Sequence, residues 1–189
     1  MRKEIITING FPGSGKSSTS DGVARALQYK RFSSGDFFRQ VGIELGLSVN
    51  EVNKRAETDK TIDEMTDQKL RDLRNAEKIV VDSRTAFHWI PDSFGVYLEL
   101  PAEIAKERIL ENLKTNSLRQ QSEHAETEEE VYSQIVERLA SENKRYMELY
   151  GIDNTKKENY DLVIDTNKNN LSEVVGLIIT EYKKWLNEK

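Results

Sequence analysis

The feature that most constrains this chain is a glycine-rich stretch near its amino terminus. Residues Gly10-Phe11-Pro12-Gly13-Ser14-Gly15-Lys16-Ser17 fit the pattern GxxxxGK[ST]. The apolar run Ile5-Ile6-Thr7-Ile8 precedes the motif and a helix-compatible segment follows it, which is the context that the motif requires. The alternative is a glycine-rich turn with a chance lysine, and both the preceding strand and the following serine argue against it. The motif predicts a phosphate-binding loop between a strand and a helix.

The spacing of the motif has a chemical explanation. Glycines let the loop turn its backbone N–H groups towards an anion, and the next helix presents its positive N-terminal end to the same phosphates. Lys16 would neutralise the β and γ phosphates of a nucleoside triphosphate, and Ser17 would offer its hydroxyl to Mg²⁺. We expect the nucleotide-binding stretch to run from Gly10 to Ser18.

Composition limits the other functions open to the chain. Its 189 residues are enough for one domain with a substantial core, and the net charge of −5 gives no general attraction to nucleic acid or anionic membranes. The absence of cysteine excludes a disulfide framework and a thiolate metal site. No segment resembles a signal peptide or a membrane span. We therefore expect a cytoplasmic protein with no nucleic-acid or membrane partner. We also expect it to be a monomer.

Strand and helix patterns alternate along the chain, which predicts an α/β fold with a parallel sheet covered by helices on both sides. The predicted strands are Lys3–Asn9, Lys30–Ser33, Lys78–Asp82, Phe94–Leu100 and Tyr160–Asp165. We expect a three-layer core at 1–33, 76–111 and 151–189, a helical insertion at about 34–75 and a lid at about 112–150. Capping boxes beginning at Ser48 and Thr127 each predict the start of a helix.

Polar clusters follow the predicted strands, at the sheet edge where ligands of parallel α/β folds bind. Asp82 ends the third strand and either holds water on Mg²⁺ or caps a turn. Ser34 and Gly35 either bind phosphate or cap the next helix. Phe38 either lines a base pocket or belongs to the core.

Arginine suits phosphate because its planar fork makes two parallel hydrogen bonds. Each arginine in these segments is either such a cation or a solvated, ion-paired surface residue. The candidates are Arg39, Arg84, Arg108, Arg138 and Arg145.

Taken together, five motifs resemble those of cytidylate kinases, and most closely the short form typical of archaea. They are the stretch from Ile8 to Ser17, Ser34-Gly35-Asp36-Phe37-Phe38-Arg39, Val81-Asp82-Ser83-Arg84, the stretch from Arg138 to Asp153, and the stretch from Tyr160 to Thr166. The resemblance covers nearly the whole chain in order. It implies a P-loop kinase that transfers the γ-phosphate of ATP·Mg²⁺ to CMP or dCMP.

The resemblance also implies residue roles. Ser34, Gly35, Phe38 and Arg39 would bind the acceptor monophosphate, and Arg84 would reach the acceptor nucleotide. Arg138 and Arg145 would close over the phosphates as lid arginines and act with Lys16 in catalysis. Thr166 and Asn167 would lie near the adenine of ATP.

The chain departs from the family pattern in its predicted lid. Leu139 stands where an acidic residue is usual, Ser141 replaces an arginine of the bacterial form, and Asn112 replaces an arginine for which Arg119 is a candidate substitute. An adenylate-like or shikimate-like kinase and a non-catalytic nucleotide-binding module are the alternatives. A GTPase is disfavoured because Asn167-Lys168-Asn169 lacks the aspartate of the guanine-binding signature.

Overall fold

A five-stranded parallel sheet forms the centre of the protein. The structure is a computed structural model that describes residues 2–115 and 127–188, without the side chains of residues 112–115, 128 and 131. The strands lie in the order β2-β3-β1-β4-β5, and every pairing is parallel. They are β1 (Ile5–Gly10), β2 (Lys30–Ser33), β3 (Ile79–Asp82), β4 (Phe94–Glu99) and β5 (Leu162–Asp165). The predicted α/β fold with five parallel strands is confirmed.

Helices connect the strands and cover both faces of the sheet. They are α1 (Lys16–Leu27), α2 (Ser34–Leu45), α3 (Val49–Ala56), α4 (Thr61–Asp72), α5 (Ala86–Trp89), α6 (Ala102–Thr115), α7 (Glu128–Tyr150) and α8 (Leu171–Asn187). Short 3₁₀ turns at Leu73–Asn75 and Lys157–Asn159 precede β3 and β5. Of the lid predicted at about 112–150, residues 116–126, with Arg119, lie outside the described residues.

Alternate residues of the central strands point to opposite faces, and both faces are buried. Ile6 and Ile8 pack with Val23 of α1 and with Ile178 and Tyr182 of α8. Ile5, Ile79 and Val81 pack on the other side with Leu70 of α4 and Ile90. Burial of each of these aliphatic side chains contributes about 1.5–3 kcal/mol to the free energy of unfolding. Because side chains alternate between the faces, a register shift by one residue would move every one of them to the opposite core.

The helices α2 to α4 have a small apolar cluster of their own. Val41, Val52, Ala56 and Ile62 are almost fully buried against one another, with Phe38 partly buried beside them. The predicted capping box at the start of α3 is confirmed: Ser48 Oγ accepts a hydrogen bond from the Glu51 amide at 3.3 Å, and the Glu51 carboxylate accepts one from the Ser48 amide at 2.7 Å. The box predicted at Thr127 is confirmed at the start of α7.

Candidate active site

The glycine-rich loop joins β1 to α1 in a conformation that depends on its glycines. Gly13 has a φ of +85°, in the left-handed region that other residues seldom adopt. A Cβ on Gly10 would lie 2.5 Å from the backbone oxygen of Leu98, so the loop can pass β4 only without a side chain. Helix α1 then begins at Lys16, with its first amides facing the loop.

Lys16 curls back over this loop. Its Nζ donates hydrogen bonds to the backbone oxygens of Gly10 at 2.7 Å and Phe11 at 3.2 Å. The ammonium group is thereby held over the loop. A phosphate bound by the loop amides would meet this positive charge without a large movement of the lysine.

Ser17 and Asp82 bring two oxygen donors together beside the loop. Ser17 Oγ donates to Asp82 Oδ2 at 3.1 Å, and the Asp82 side chain is only 8% exposed. Hydroxyl and carboxylate oxygens are ligands that Mg²⁺ prefers, with water and substrate phosphates completing its shell. These two residues therefore fit an Mg²⁺ ion that enters with ATP, and the ion would supply charge neutralisation for the phosphates.

Helix α2 begins with an N-terminal turn that no side chain caps. Its N-cap residue is Ser33, which makes no side-chain capping bond, and Ser34 and Gly35 occupy the first turn. The Arg39 guanidinium lies over this turn, since a Cβ on Gly35 would be 3.7 Å from both of its terminal nitrogens. Arg39 pairs with Asp36, and its side chain is 55% exposed. The turn and the arginine are both accessible to an anion.

Arg84 lies behind the end of β3 and pairs with Glu142 of α7. Burial by itself would lower the pKa of the Arg84 guanidinium, but the neighbouring charges of Glu142 and Asp82 raise it above its ordinary value. The arginine is therefore cationic at any physiological pH. Its Nε has no hydrogen-bond partner among the described residues.

Arg145 is buried between α7 and the helices α3 and α4. Its Nε donates to Asp63 Oδ2 at 2.8 Å, and its two terminal nitrogens donate to Ser141 Oγ at 2.7 Å and Asn53 Oδ1 at 3.3 Å. Burial raises the pKa of the Asp63 carboxyl, and Arg145 opposes that rise. In this conformation the Arg145 guanidinium joins α7 to α3 and α4. It would have to leave these partners to contact phosphates.

A second buried carboxylate, Asp67, lies one helical turn further along α4. Its oxygens accept hydrogen bonds from the Tyr150 hydroxyl and, at 3.0 Å, from Trp89 Nε1. Burial raises the pKa of Asp67, and the two donors oppose the rise. Asp63, Asp67 and Asn53 form a polar interface that the sequence patterns missed, because their partners lie far along the chain.

The turn after β5 is held firmly. Thr166 donates from both its amide and its hydroxyl to the backbone oxygen of Glu99, at 2.9 and 3.1 Å. Arg108 donates to the Thr166 backbone oxygen at 2.9 Å, and the Asn167 amide donates to Asp165 Oδ1 at 2.9 Å. The sheet thus brings this turn to the same edge as the phosphate loop, with Arg108 supporting it.

Two other predicted site residues, Phe38 and Arg138, lie on helices α2 and α7. Phe38 packs against the apolar cluster of α2 to α4. Arg138 is half-buried on α7, one turn before Glu142, the partner of Arg84.

In the described part of the chain, no helix is both long and apolar enough to cross a membrane.

Comparison with known proteins identifies the family. Residues 6–148 match a family described as an AAA domain. The cytidylate kinase of Methanosphaera stadtmanae is 31% identical over 175 residues, which cover 92% of this chain and 95% of that protein. The chain belongs to the cytidylate kinase family. The cytidylate kinase of Natronomonas pharaonis is 36% identical over 166 residues, covering 86% of this chain and 80% of that protein.

Another relative shares the sequence within a longer protein. The S-adenosylmethionine-dependent nucleotide dehydratase of Lacinutrix mariniflava is 34% identical over 186 residues, covering 96% of this chain and 36% of the dehydratase. The chain thus spans about a third of that relative's length.

Membership of the cytidylate kinase family makes the present chain a P-loop kinase and a phosphotransferase.

Solved structures support the same fold. An uncharacterized protein from Eubacterium ventriosum has a TM-score of 0.66 at 14% identity, covering 96% of this chain and 99% of that one. The shikimate kinase of Acinetobacter baumannii, solved in complex with shikimate, has a TM-score of 0.61 at 16% identity. The match covers 98% of this chain and 96% of that one. At these identities the likeness concerns the fold alone.

Proposed function

We propose that the chain transfers the γ-phosphoryl group of ATP to CMP or dCMP, giving CDP or dCDP, with Mg²⁺ as the metal. One observation carries the proposal. Lys16 follows β1, Arg39 follows β2 and Arg84 follows β3, and these three strands are neighbours in the sheet. A donor site and an acceptor site would then share one edge of the sheet.

The donor half is proposed to consist of the glycine-rich loop with Lys16, Ser17 and Ser18. Both serines are exposed in the first turn of α1, and Lys16 lies over the loop. Asp82 would bind the metal through water, which agrees with its position 3.1 Å from Ser17 Oγ. Thr166 and Asn167 would lie beside adenine.

The acceptor half is proposed to consist of the first turn of α2, with Arg39, and of Arg84. An acceptor phosphate at this turn would meet free backbone amides and the exposed Arg39 guanidinium. One of its oxygens would attack the γ-phosphorus in line as the bond to the β–γ bridging oxygen breaks and ADP leaves. No protein nucleophile is needed, so the protein contributes position and positive charge.

Three proposed arginines already hold carboxylates in this structure. Arg39 pairs with Asp36, Arg84 with Glu142 and Arg145 with Asp63. A nucleotide phosphate would compete best for Arg39, which is the most exposed of the three. The lid roles of Arg138 and Arg145, the monomeric state and the cytoplasmic location remain proposals.

A panel of acceptors tests this function directly. Diphosphate formation from ATP·Mg²⁺ is measured with CMP, dCMP, UMP, AMP and GMP, and shikimate phosphate formation with shikimate. We expect kcat/KM to be highest for CMP or dCMP. A preference for AMP or shikimate would contradict the proposed acceptor, and activity on none of them, with ATP still bound, would favour a non-catalytic nucleotide-binding module.

Replacing Arg39 by alanine is expected to weaken use of the acceptor far more than binding of ATP. Loss of a charge-assisted hydrogen bond to phosphate corresponds to about a 10- to 100-fold rise in the KM for CMP. Steady-state kinetics with each substrate varied in turn measure the effect. Arg74→Ala is the matched control, because Arg74 is an exposed arginine that pairs with Asp92. Equal losses of ATP and CMP binding in the Arg39 variant would refute the assigned role.

A further inference from the structure

Asp82 has a second partner that the catalytic proposal does not use. The NH2 nitrogen of Arg31, on β2, donates to Asp82 Oδ2 at 3.1 Å, the same oxygen that accepts from Ser17. The Arg31 side chain is 23% exposed and that of Asp82 8%. A carboxylate this deeply buried is costly without a neighbouring cation. Arg31 therefore both orients this carboxylate towards Ser17 and balances its charge.

Arg31 also faces two other carboxylates. Its Nε lies 3.4 Å from Asp21 Oδ1, without hydrogen-bond geometry, and its NH1 lies 3.8 Å from Asp36 Oδ2. Asp36 in turn pairs with Arg39. One guanidinium thus stands among carboxylates from α1, α2 and β3, in a chain of ion pairs that leads from the phosphate loop to the proposed acceptor turn.

The net charge of this cluster determines how strongly it repels an anion at the phosphate loop. Two arginines and three aspartates carry a net charge of −1, and removal of Arg31 would make it −2. The uncompensated charge would then include Asp82, next to the loop that binds phosphates. Repulsion between Asp82 and a phosphate bound by the loop would be substantial, because screening by water is weak in a partly buried site.

We propose that Arg31 is a positioning residue and resident counter-cation for Asp82, which lets the loop bind a nucleotide polyphosphate with less dependence on Mg²⁺. The proposal rests on the ATP-binding half of the proposed function and does not depend on which acceptor is used. Mg²⁺ and Arg31 both offset the same negative field. Nucleotide binding should therefore depend more on Mg²⁺ when Arg31 is lost.

Calorimetric titration with ADP, once in EDTA and once in excess Mg²⁺, tests this inference without any catalytic step. In Arg31→Gln, the Kd for ADP in EDTA is expected to rise about tenfold. In Mg²⁺ the rise is expected to be about twofold or less, because the metal replaces part of the lost charge. The ratio of the two Kd values is the quantity compared.

Three further variants separate charge from fold. Arg31→Lys keeps the charge and should recover most of the metal-free affinity. The double variant Arg31→Gln/Asp82→Asn removes the carboxylate charge too, and it should bring the metal-free Kd back towards the wild-type value. Arg25→Gln, which changes an exposed arginine at the end of α1, should leave both Kd values unchanged. Thermal unfolding of every variant identifies a general loss of structure.

The outcomes are distinct. An unchanged metal-free Kd in Arg31→Gln, or a smaller advantage from Mg²⁺ than in the wild type, would overturn the role of Arg31. The same holds if the double variant binds ADP no better than Arg31→Gln in EDTA. A wild-type chain that binds no ADP would overturn the ATP-binding proposal as well. The expected ADP pattern without phosphorylation of any monophosphate would refute only the acceptor proposal.

Discussion

Replacing Lys16 by alanine is expected to lower kcat by about 10²- to 10³-fold, the effect typical of removing a fixed charge that stabilises a transferring group. The expectation follows from the position of the ammonium group, which the backbone oxygens of Gly10 and Phe11 hold over the phosphate loop. Charge builds on the β and γ phosphates as the phosphoryl group moves, and Lys16 would be a protein cation fixed beside them. Initial rates at saturating ATP·Mg²⁺ and CMP measure the loss.

The matched control is Lys183→Ala, which removes an exposed lysine on α8 and should leave kcat unchanged. The Lys16 variant should keep its melting temperature, since the hydrogen bonds that Nζ makes to Gly10 and Phe11 join residues of the same loop. A fall in kcat of less than threefold, with the fold intact, would show that Lys16 does not stabilise the transferring phosphate.

Replacing Arg145 by alanine is expected to lower the free energy of unfolding by about 3–5 kcal/mol. The change leaves Asp63, which is 4% exposed, without the cation that offsets its desolvation. It also removes the donors that Asn53 and Ser141 accept from. Urea unfolding followed by circular dichroism measures the loss as a shift of the midpoint.

Arg55→Ala provides the comparison, because Arg55 and Asp59 form an ion pair at 3.4 Å whose side chains are 51% and 31% exposed. Exposed pairs of this kind contribute at most about 1 kcal/mol. In the double variant Arg145→Ala/Asp63→Ala the loss should be smaller than the sum of the single losses, since no unpaired buried charge remains. If Arg145→Ala cost no more than Arg55→Ala, the buried pair would not stabilise the protein in solution.

The features predicted correctly from the sequence depend on short-range patterns. The strand, loop and helix around Lys16 follow from a contiguous motif, and the capping box at Thr127 follows from residues three apart. Strands β1, β3 and β4 follow from apolar runs that are mostly buried in the sheet. Strand β2 contains only one apolar residue, Phe32, so its pattern indicates a strand only weakly. Helix α5, at Ala86–Trp89, was missed because four residues cannot show a helical period.

The charge partners inside the proposed site were not predictable in the same way. Arg31 and Asp82 are separated by 51 residues, and Arg145 and Asp63 by 82. An arginine in a short strand and an aspartate in a polar helix look like ordinary surface residues in the sequence. Only the order of the strands, and the packing of α7 against α3 and α4, bring each pair together.

The resemblance gave Arg145 a role at the phosphates, and the structure finds it buried in an ion pair. Both hold together if nucleotide binding draws the guanidinium away from Asp63. That movement stays a prediction, since the conformation described here has all three guanidinium nitrogens engaged. Arg39 needs no such movement because it is already accessible.

The most direct measurement follows the label of [γ-³²P]ATP when the wild-type protein is incubated with Mg²⁺ and CMP. If the chain is a (d)CMP kinase, the label appears as the β-phosphate of CDP, one label per ADP formed, and unlabelled CMP is consumed in the same amount. The same reaction with dCMP should label dCDP. Release of the label as inorganic phosphate, with CMP unchanged, would contradict the proposed transfer.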